Sequence, residues 1–266
     1  MAKVENTEKL QKVIARAGLA SRREAERWIK EGRLRVNGQV ATIGDRVSDA
    51  DRIELDGKRI RNKSAEQFKR RVLAYHKPVG EICSRKDPEG RKTVFDRLPR
   101  IKGERWIAID RLDFNTSGLL LFTNDGELAN LLMHPSSEID REYLVRVMGD
   151  VDEAMIDRLR NGVMLEDGEA RFTDIQHDSR SEEESINQWY SVCLMEGRNR
   201  EVRRLWESQD VTVSRLKRVR FGPIFLTPKI RQGKFLDLSD RDIRHLIDAA
   251  APKLVVEEPP IEDDNA

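Results

Sequence analysis

Residues 109–121 read IDRLDFNTSGLLL, and this stretch joins two apolar segments through a short polar loop. The pattern predicts a strand, a loop that ends in a Thr-Ser-Gly turn, and a second strand. The loop carries two carboxylates, Asp110 and Asp113, and the guanidinium of Arg111. Because Asp, Ser and Gly are ordinary turn residues, the stretch alone favours a structural turn over a catalytic site.

Strand and helix patterns continue on both sides of this loop. Apolar segments predict strands at 72–76, 106–109, 119–123, 143–147, 188–195 and 211–219. Asn124 and Glu127 form a capping box, which predicts a helix that ends before Pro135. Further helices are predicted at 152–161 and 199–207. We therefore predict an α+β domain over residues 72–250.

A smaller unit precedes this domain. Apolar residues at helical spacing predict a first helix ending at Gly18, namely Leu10, Val13, Ile14 and Ala17. Ser21 and Glu24 form a capping box for a second helix from Arg22 to Lys30. The turns Asn37-Gly38 and Asp56-Gly57 then predict two small hairpins.

The composition sets the boundaries of these units and excludes several classes of protein. We place a linker at 61–71 and a disordered tail at 251–266 that contains five acids. No apolar run approaches the roughly 18–20 residues that span a bilayer, and the N-terminus has no signal-peptide pattern. Two cysteines and four histidines do not suggest a disulfide framework or a metal site. We expect a soluble cytoplasmic protein.

The formal net charge of +1 conceals an asymmetry. Residues 1–71 carry +8, residues 72–250 carry −3 and residues 251–266 carry −4. Six basic residues surround the junction of the first two helices: Lys9, Lys12, Arg16, Arg22, Arg23 and Arg27. This pattern predicts phosphate binding by the first unit, and a solvated charged surface is the alternative.

The larger domain has a basic segment of its own. Residues 198–220 hold eight Lys or Arg against three acids, and Arg198 and Arg200 are candidate phosphate contacts. A loop carboxylate beside such a segment suits an enzyme that acts on nucleic acid. Tyr143 could stack on an unpaired base, although an aromatic residue at a strand start is more often part of the core.

Two resemblances narrow these possibilities. Residues 8–38 read EKLQKVIARAGLASRREAERWIKEGRLRVNG and resemble an S4 domain, a small module that binds structured RNA. The resemblance extends over about residues 8–68, which we take as the first domain. Residues 72–235 resemble the catalytic domain of RNA pseudouridine synthases, in the rRNA-modifying branch that carries an N-terminal S4 domain. The matching segments are 75–80, 111–113, 116–120, 123–128, 141–143 and 196–204. Residues 187–190 and 197–207 favour members that modify 23S rRNA.

The resemblance implies a fold and a set of site residues. It implies a mixed, mainly antiparallel sheet and a catalytic aspartate, whose counterpart is Asp113. It makes Arg203 the charged partner of that aspartate. It implies that Tyr143 stacks on the target uridine and that Arg111 enters the space which the flipped base leaves. The reaction needs no redox or nucleotide cofactor.

The sequence departs from the family at two places. The family usually has Gly, or His in a related branch, where this chain has Asp110. We expect the Asp110 side chain to point away from Asp113, because two buried carboxylates would raise each other's pKa. The acidic tail replaces the basic extension of some relatives.

Three functions compete at this point. The leading hypothesis is isomerisation of uridine to pseudouridine in 23S rRNA by a monomeric enzyme that has RNA as its partner and no membrane association. The main alternative is a non-catalytic RNA-binding factor for ribosome assembly, which has no need for a carboxylate among phosphate-binding cations. A nucleoside hydrolase is the third, and it would release a free base.

Overall fold

A computed structural model describes residues 7–60, 68–101, 103–178 and 187–250. The predicted tail at 251–266 and residues 61–67 of the predicted linker lie outside the described residues. The helices are α1 (Leu10–Arg16), α2 (Arg22–Lys30), α3 (Gly126–Met133), α4 (Glu153–Asn161), α5 (Glu201–Glu207) and α6 (Asp240–Ala250). None of them is long and apolar enough to cross a bilayer. The strands are β1 (Glu8–Lys9), β2 (Leu34–Val36), β3 (Gln39–Val40), β4 (Arg46–Val47), β5 (Ile53–Leu55), β6 (Lys58–Arg59), β7 (Val72–Lys77), β8 (Ile107–Ile109), β9 (Ser117–Thr123), β10 (Arg141–Met148), β11 (Val163–Leu165), β12 (Gly168–Ala170), β13 (Asp174–His177), β14 (Asn187–Leu194), β15 (Thr212–Phe221), β16 (Ile224–Phe225) and β17 (Phe235–Asp237).

The first unit has its own small core. Leu10 and Ile14 of α1 pack with Ala25 of α2, Leu34 of β2 and Ile53 of β5, and all five are buried. The two predicted helices and the two predicted hairpins are confirmed, and β3-β2-β5-β6 form one four-stranded sheet. The strands β1 and β4, which the sequence pattern did not predict, pair antiparallel beside α1.

A nine-stranded sheet forms the second unit. Its main path is β13-β14-β10-β15-β9-β7-β17, with β16 added to β15 and β8 added to β9. The β15–β9 pair is parallel and the other neighbours are antiparallel. The predicted mixed, mainly antiparallel sheet is therefore confirmed.

Both faces of the sheet's centre are covered. Leu120 and Phe122 of β9 point into one buried cluster, whereas Leu119 and Leu121 point into another on the opposite face. Successive side chains of a strand alternate between faces, so a strand covered on both sides needs an unbroken apolar run. This requirement explains the sequence LLLF at 119–122.

The parallel joint between β9 and β15 lies directly after the polar loop. Gly118 faces Arg218 across the joint, and its φ is +113°. A Cβ atom on Gly118 would lie 2.2 Å from the Arg218 carbonyl oxygen and 2.5 Å from its nitrogen. The two strands can pair here only because residue 118 has no side chain.

Two predicted helix starts need correction. Asp125, not Asn124, caps α3, because its side chain accepts hydrogen bonds from the amides of Glu127 and Leu128. Asn124 instead accepts from the amide of Arg71, which ties the domain's first strand to this turn. The helix predicted from residue 199 begins at Glu201, after Arg200 adopts a left-handed φ of +51°. The pattern also missed α6 and the short strands β11, β12, β13, β16 and β17.

Candidate active site

The polar loop at 110–116 opens into a cleft of about 430 Å³, the size of a small-molecule site. Five predicted site residues lie together along this cleft, from the loop, from β10 and from the segment before α5: Arg111, Asp113, Tyr143, Arg198 and Arg200. Arg203 lies behind it, buried in α5. The six predicted cations of the first unit lie elsewhere in the chain, on and around α1 and α2.

Lys77 fixes the backbone of the loop. It ends β7 and is completely buried, and its Nζ donates to the carbonyl oxygens of Asp113 at 2.9 Å, Thr116 at 2.8 Å and Pro78 at 3.1 Å. Burial lowers the pKa of Lys77, and the nearby Cys83, Glu81 and Asp113 oppose that effect. The ammonium thereby holds both ends of the turn that carries Asp113.

Neighbouring segments hold the rest of the loop. The Sγ of Cys83 accepts from the Leu112 amide at 3.4 Å, and the Gly80 amide donates to the Phe114 carbonyl at 2.9 Å. The loop therefore presents its side chains from a fixed backbone, as a preorganised site requires.

The Asp113 carboxylate has no hydrogen bond or ion pair with the residues that the structure describes. Its side chain is partly exposed and lines the cleft. Within the described residues, the hydrogen bonds that hold Asp113 run through its backbone carbonyl oxygen, which accepts from Lys77 and from the Thr116 amide. The carboxylate is thus available to a bound molecule.

Arg203, which the resemblance makes the charged partner of Asp113, forms no ion pair with that carboxylate among the described residues. Its Nη1 donates to the Val213 carbonyl at 2.8 Å and its Nη2 to the Asn115 carbonyl at 3.2 Å, while its buried Nε has no partner among the described residues. Burial lowers the pKa of Arg203, Arg200 lowers it further, and Asp113 acts in the opposite direction. Arg203 therefore supports the loop and places a positive charge behind Asp113.

Asp110 lies in a buried ion cluster. Its Oδ2 is 2.6 Å from Nη1 of Arg218 and 3.1 Å from Nε of Arg141, and its Oδ1 accepts from the Arg111 amide at 2.7 Å. Burial raises the pKa of the Asp110 carboxyl, but Arg218, Arg141 and the amide outweigh it and the net direction is down. Asp110 is therefore a charged member of the cleft wall.

Tyr143 lies against this cluster. It pairs with Arg218 across β10 and β15, is only 7% exposed, and also belongs to the core on one face of the sheet. Burial raises the pKa of its hydroxyl, Arg218 and Arg141 lower it, Asp110 raises it, and the net direction is up. Tyr143 is thus a neutral phenol that lines the cleft.

The cations at the cleft entrance differ in how they are paired. Arg111 is exposed and forms no ion pair with any described residue. Arg198 pairs with Glu196, and Arg200 pairs with Glu207 at 3.2 Å. A phosphate would meet Arg111 without competition, whereas it would have to replace a carboxylate at the other two.

The same distinction divides the cations of the first unit. Lys12 bridges Glu8 and Glu127 of α3, Arg16 pairs with Glu8, and Arg27 pairs with Glu24 and Glu31. Of the six predicted cations around α1 and α2, three are exposed and form no ion pair within the described part of the chain, namely Lys9, Arg22 and Arg23. The unpaired positive charge at the junction of α1 and α2 is therefore carried by these three residues.

Sequence reasoning did not assign roles to Lys77, Arg141 and Arg218. All three are buried cations inside or at the end of strands, and Arg218 is completely buried. A charge at the end of the apolar run of β7 was the available signal for Lys77, because such a residue needs partners that only the fold can supply. No such signal existed for Arg218, since β15 carries three other Lys or Arg residues. No group of three or more His, Cys, Asp or Glu suited to a metal ion occurs among the described residues.

Comparison with known proteins agrees with this geometry. A family model described as RNA pseudouridylate synthase matches residues 71–208. The chain belongs to this family. A model of the S4 domain matches residues 8–53, so both resemblances seen in the sequence are confirmed.

Curated relatives extend over most of the chain. A protein of Pseudomonas aeruginosa named ribosomal large subunit pseudouridine synthase B is 61% identical over 236 residues, which cover 89% of this chain and 61% of that protein. Proteins of the same name from Vibrio vulnificus and Salmonella typhimurium are each 58% identical, covering 90% and 87% of this chain and 74% and 79% of theirs. The chain thus spans about three fifths to four fifths of these relatives' length.

A solved structure supports the fold. A crystal structure titled pseudouridylate synthase matches with a TM-score of 0.62 and 22% identity, over 90% of this chain and 99% of that one. At this identity the similarity concerns the arrangement of both units and not the details of the site.

Proposed function

We propose that this chain isomerises uridine to pseudouridine in large-subunit ribosomal RNA, with Asp113 as the catalytic carboxylate. Family membership supports the reaction, and the names of the curated relatives support the substrate. The assignment of Asp113 rests on one observation: its carboxylate has no partner among the described residues, although the backbone of its loop is fixed. Lys77 and Arg203 donate to carbonyl oxygens of the loop, and the Cys83 sulfur accepts from its Leu112 amide.

The reaction requires little more than such a carboxylate. The N1–C1′ bond of uridine breaks, the base turns, a C5–C1′ bond forms, the C5 proton leaves and N1 takes up a proton. Atoms and electrons balance without an oxidant or a group donor. A carboxylate can act as a nucleophile or stabilise positive charge that develops at C1′, as in glycoside cleavage.

The surrounding residues divide the remaining work. Arg203 holds the Asn115 carbonyl and places a positive charge near Asp113. The ring of Tyr143 offers a surface on which the extruded uracil stacks. The guanidinium of Arg111 is free to occupy the gap in the RNA helix. Free cations of the first unit, Lys9, Arg22 and Arg23, bind the phosphates.

The experiment that tests this proposal compares two carboxylate changes in the loop. Asp113→Asn should abolish pseudouridine formation, measured as tritium release from C5-labelled 23S rRNA fragments, because the reactive group is lost. RNA affinity should stay within about threefold, since the change removes no phosphate contact. Release of free base would instead identify a nucleoside hydrolase.

Phe114 offers a matched control, since it lies next to Asp113 in the same loop but is 46% exposed. Phe114→Ala should retain activity. Full activity in Asp113→Asn would show that Asp113 is not the catalytic carboxylate. A wild-type protein that binds rRNA without any tritium release would favour the non-catalytic RNA-binding factor.

A further inference from the structure

Asp110 connects three separate parts of the fold through one carboxylate. Its Oδ1 accepts from the Arg111 amide in the loop, and its Oδ2 contacts Arg141 of β10 and Arg218 of β15. These bonds are 2.7, 3.1 and 2.6 Å long. The carboxylate therefore ties the loop that carries Asp113 to the two strands behind it.

The backbone at Asp110 is held in a conformation that most residues avoid. Its φ is +71°, in the left-handed region, where Asp and Asn are tolerated better than other residues with a side chain. Such a conformation persists only where the surrounding structure maintains it, and it often occurs at functional sites. Here it occurs at the residue where β8 ends and the loop begins.

The two arginines depend on this carboxylate. Arg218 is completely buried and Arg141 is 6% exposed, and each forms its ion pair with Asp110 and with no other described residue. A buried cation without an anion is unfavourable, because it has lost its hydration without compensation. Nη1 of Arg141 donates to the backbone carbonyls of Ile139 and Met195, and Nε of Arg218 donates to that of Leu119, which restrains both guanidinium groups.

Tyr143 lies beside these arginines on the same face of the sheet. It follows Arg141 by two residues on β10 and faces Arg218 on β15. Both arginines and Asp110 act electrostatically on its hydroxyl. Any displacement of the two guanidinium groups would therefore change the surroundings of the Tyr143 side chain.

We infer that Asp110 is a positioning residue, which holds Tyr143 and the Asp113 loop in a fixed relation through Arg141 and Arg218. The inference rests on the proposed function, because its consequence for catalysis requires that Tyr143 contacts the target base. Asp110 itself does not touch the reacting atoms. It keeps Tyr143 on β10 and the loop that carries Asp113 at a constant separation.

The variant Asp110→Asn tests this role with the least change in shape. The amide tolerates the left-handed φ and can still accept from the Arg111 amide, but it carries no charge. We expect kcat to fall by about ten- to a hundredfold, the cost of a small misplacement, while KM for the RNA changes by less than about twofold. Asp110→Gly, which suits the φ without strain, should show the same loss if Asn perturbs folding.

The matched control is Asp56→Asn. Asp56 also has a left-handed φ, of +49°, and also pairs with an arginine, Arg33, at 2.6 Å, but it lies in an exposed turn of the first unit. This substitution should leave kcat unchanged. A loss of kcat in both variants would mean that removal of any such aspartate is harmful, and the inference would be wrong.

A second measurement reads Tyr143 directly and needs no RNA. The chain has three tyrosines, and their ionisation can be followed by ultraviolet difference absorbance. Because Arg141 and Arg218 lower the pKa of Tyr143 and Asp110 raises it, Asp110→Asn should lower that pKa. The shift should vanish in the double variant Asp110→Asn/Tyr143→Phe.

A second double variant separates a positioning role from general damage. If Asp110 acts through the ring of Tyr143, Asp110→Asn should reduce kcat much less in a Tyr143→Ala background, which lacks the stacking ring, than in the wild type. Independent, multiplicative losses, or an unchanged tyrosine titration, would overturn the inference. Since the titration is read on the free protein, failure of the proposed function would leave that result intact.

Discussion

At the scale of single residues, the position of Asp113 depends on groups that never touch its carboxylate. Arg203 contacts the loop through the Asn115 carbonyl and β15 through the Val213 carbonyl, and both bonds need its planar fork of donors. We expect Arg203→Ala to lower turnover by about a hundredfold and RNA affinity by less than threefold. Arg203→Lys should recover only part of the activity, because an ammonium keeps the charge but cannot bridge both carbonyls.

The contradictory result for Arg203 is easily recognised. A loss confined to RNA affinity in Arg203→Ala, with normal turnover at saturating RNA, would make this residue a phosphate contact. Turnover and affinity should therefore be measured on the same RNA fragments at one salt concentration.

Arg111 gives a second test at this scale, because its guanidinium is free in the described structure. If it fills the gap left by an extruded uridine, Arg111→Ala should slow turnover on a paired target uridine. The penalty should shrink on a target that is already unpaired, since unstacking and unpairing cost a few kcal/mol only in the paired RNA. Equal penalties on both substrates would contradict this role.

At the scale of elements, the parallel joint between β9 and β15 makes a strict demand on one position. Gly118→Ala should lower the free energy of unfolding by about 1–3 kcal/mol or more, because its Cβ would overlap the Arg218 backbone. Gly38→Ala is the matched control, as Gly38 also has a positive φ, of +85°, but nothing lies within 4 Å of its Cβ position. Chemical denaturation of both variants measures the difference; equal losses would mean that φ strain alone is responsible.

The helices also show which structural features could be predicted from the sequence alone. The second helix, Arg22–Lys30, was predicted with correct ends because Ser21, which caps it, lies directly before it in the chain. The cap of α3 was assigned to Asn124 instead of Asp125, since adjacent residues compete for the same amides and the choice depends on Arg71, 53 residues away. Residues close together in the chain therefore predict where a helix lies. Where two neighbouring residues could both cap it, contacts with residues distant in the chain decide which one does.

The candidate site follows the same rule. The loop, its two carboxylates and Tyr143 were visible in the sequence, yet the ion cluster of Asp110, Arg141 and Arg218 was not. Asp110 and Arg218 are 108 residues apart, so no periodicity or spacing connects them. The expected partnership of Arg203 with Asp113 proved indirect for a related reason, because the fold directs its donors to backbone carbonyls.

At the scale of the whole molecule, net charge is a poor guide to RNA binding because many cations are already paired. Replacing Lys9, Arg22 and Arg23 by Gln should weaken rRNA binding and reduce its salt slope by about one unit per lost contact. The triple variant of Lys12, Arg16 and Arg27 removes the same charge from paired residues and should change the slope less. Titrations at several salt concentrations compare the two, and equal slopes would show that pairing does not matter.

The joint between β9 and β15 also bears on how the protein is made. The hydrogen bond from Arg218 to the Leu119 carbonyl closes a loop of 99 residues, and contacts of such long range form late in folding. The first unit, by contrast, draws its core from residues 10–60. During synthesis, this unit can fold while the ribosome is still adding β15, and the cleft cannot be completed before that strand emerges. The nascent chain therefore completes its RNA-binding unit well before its catalytic cleft. An RNA that it contacts at this stage would be bound but not modified.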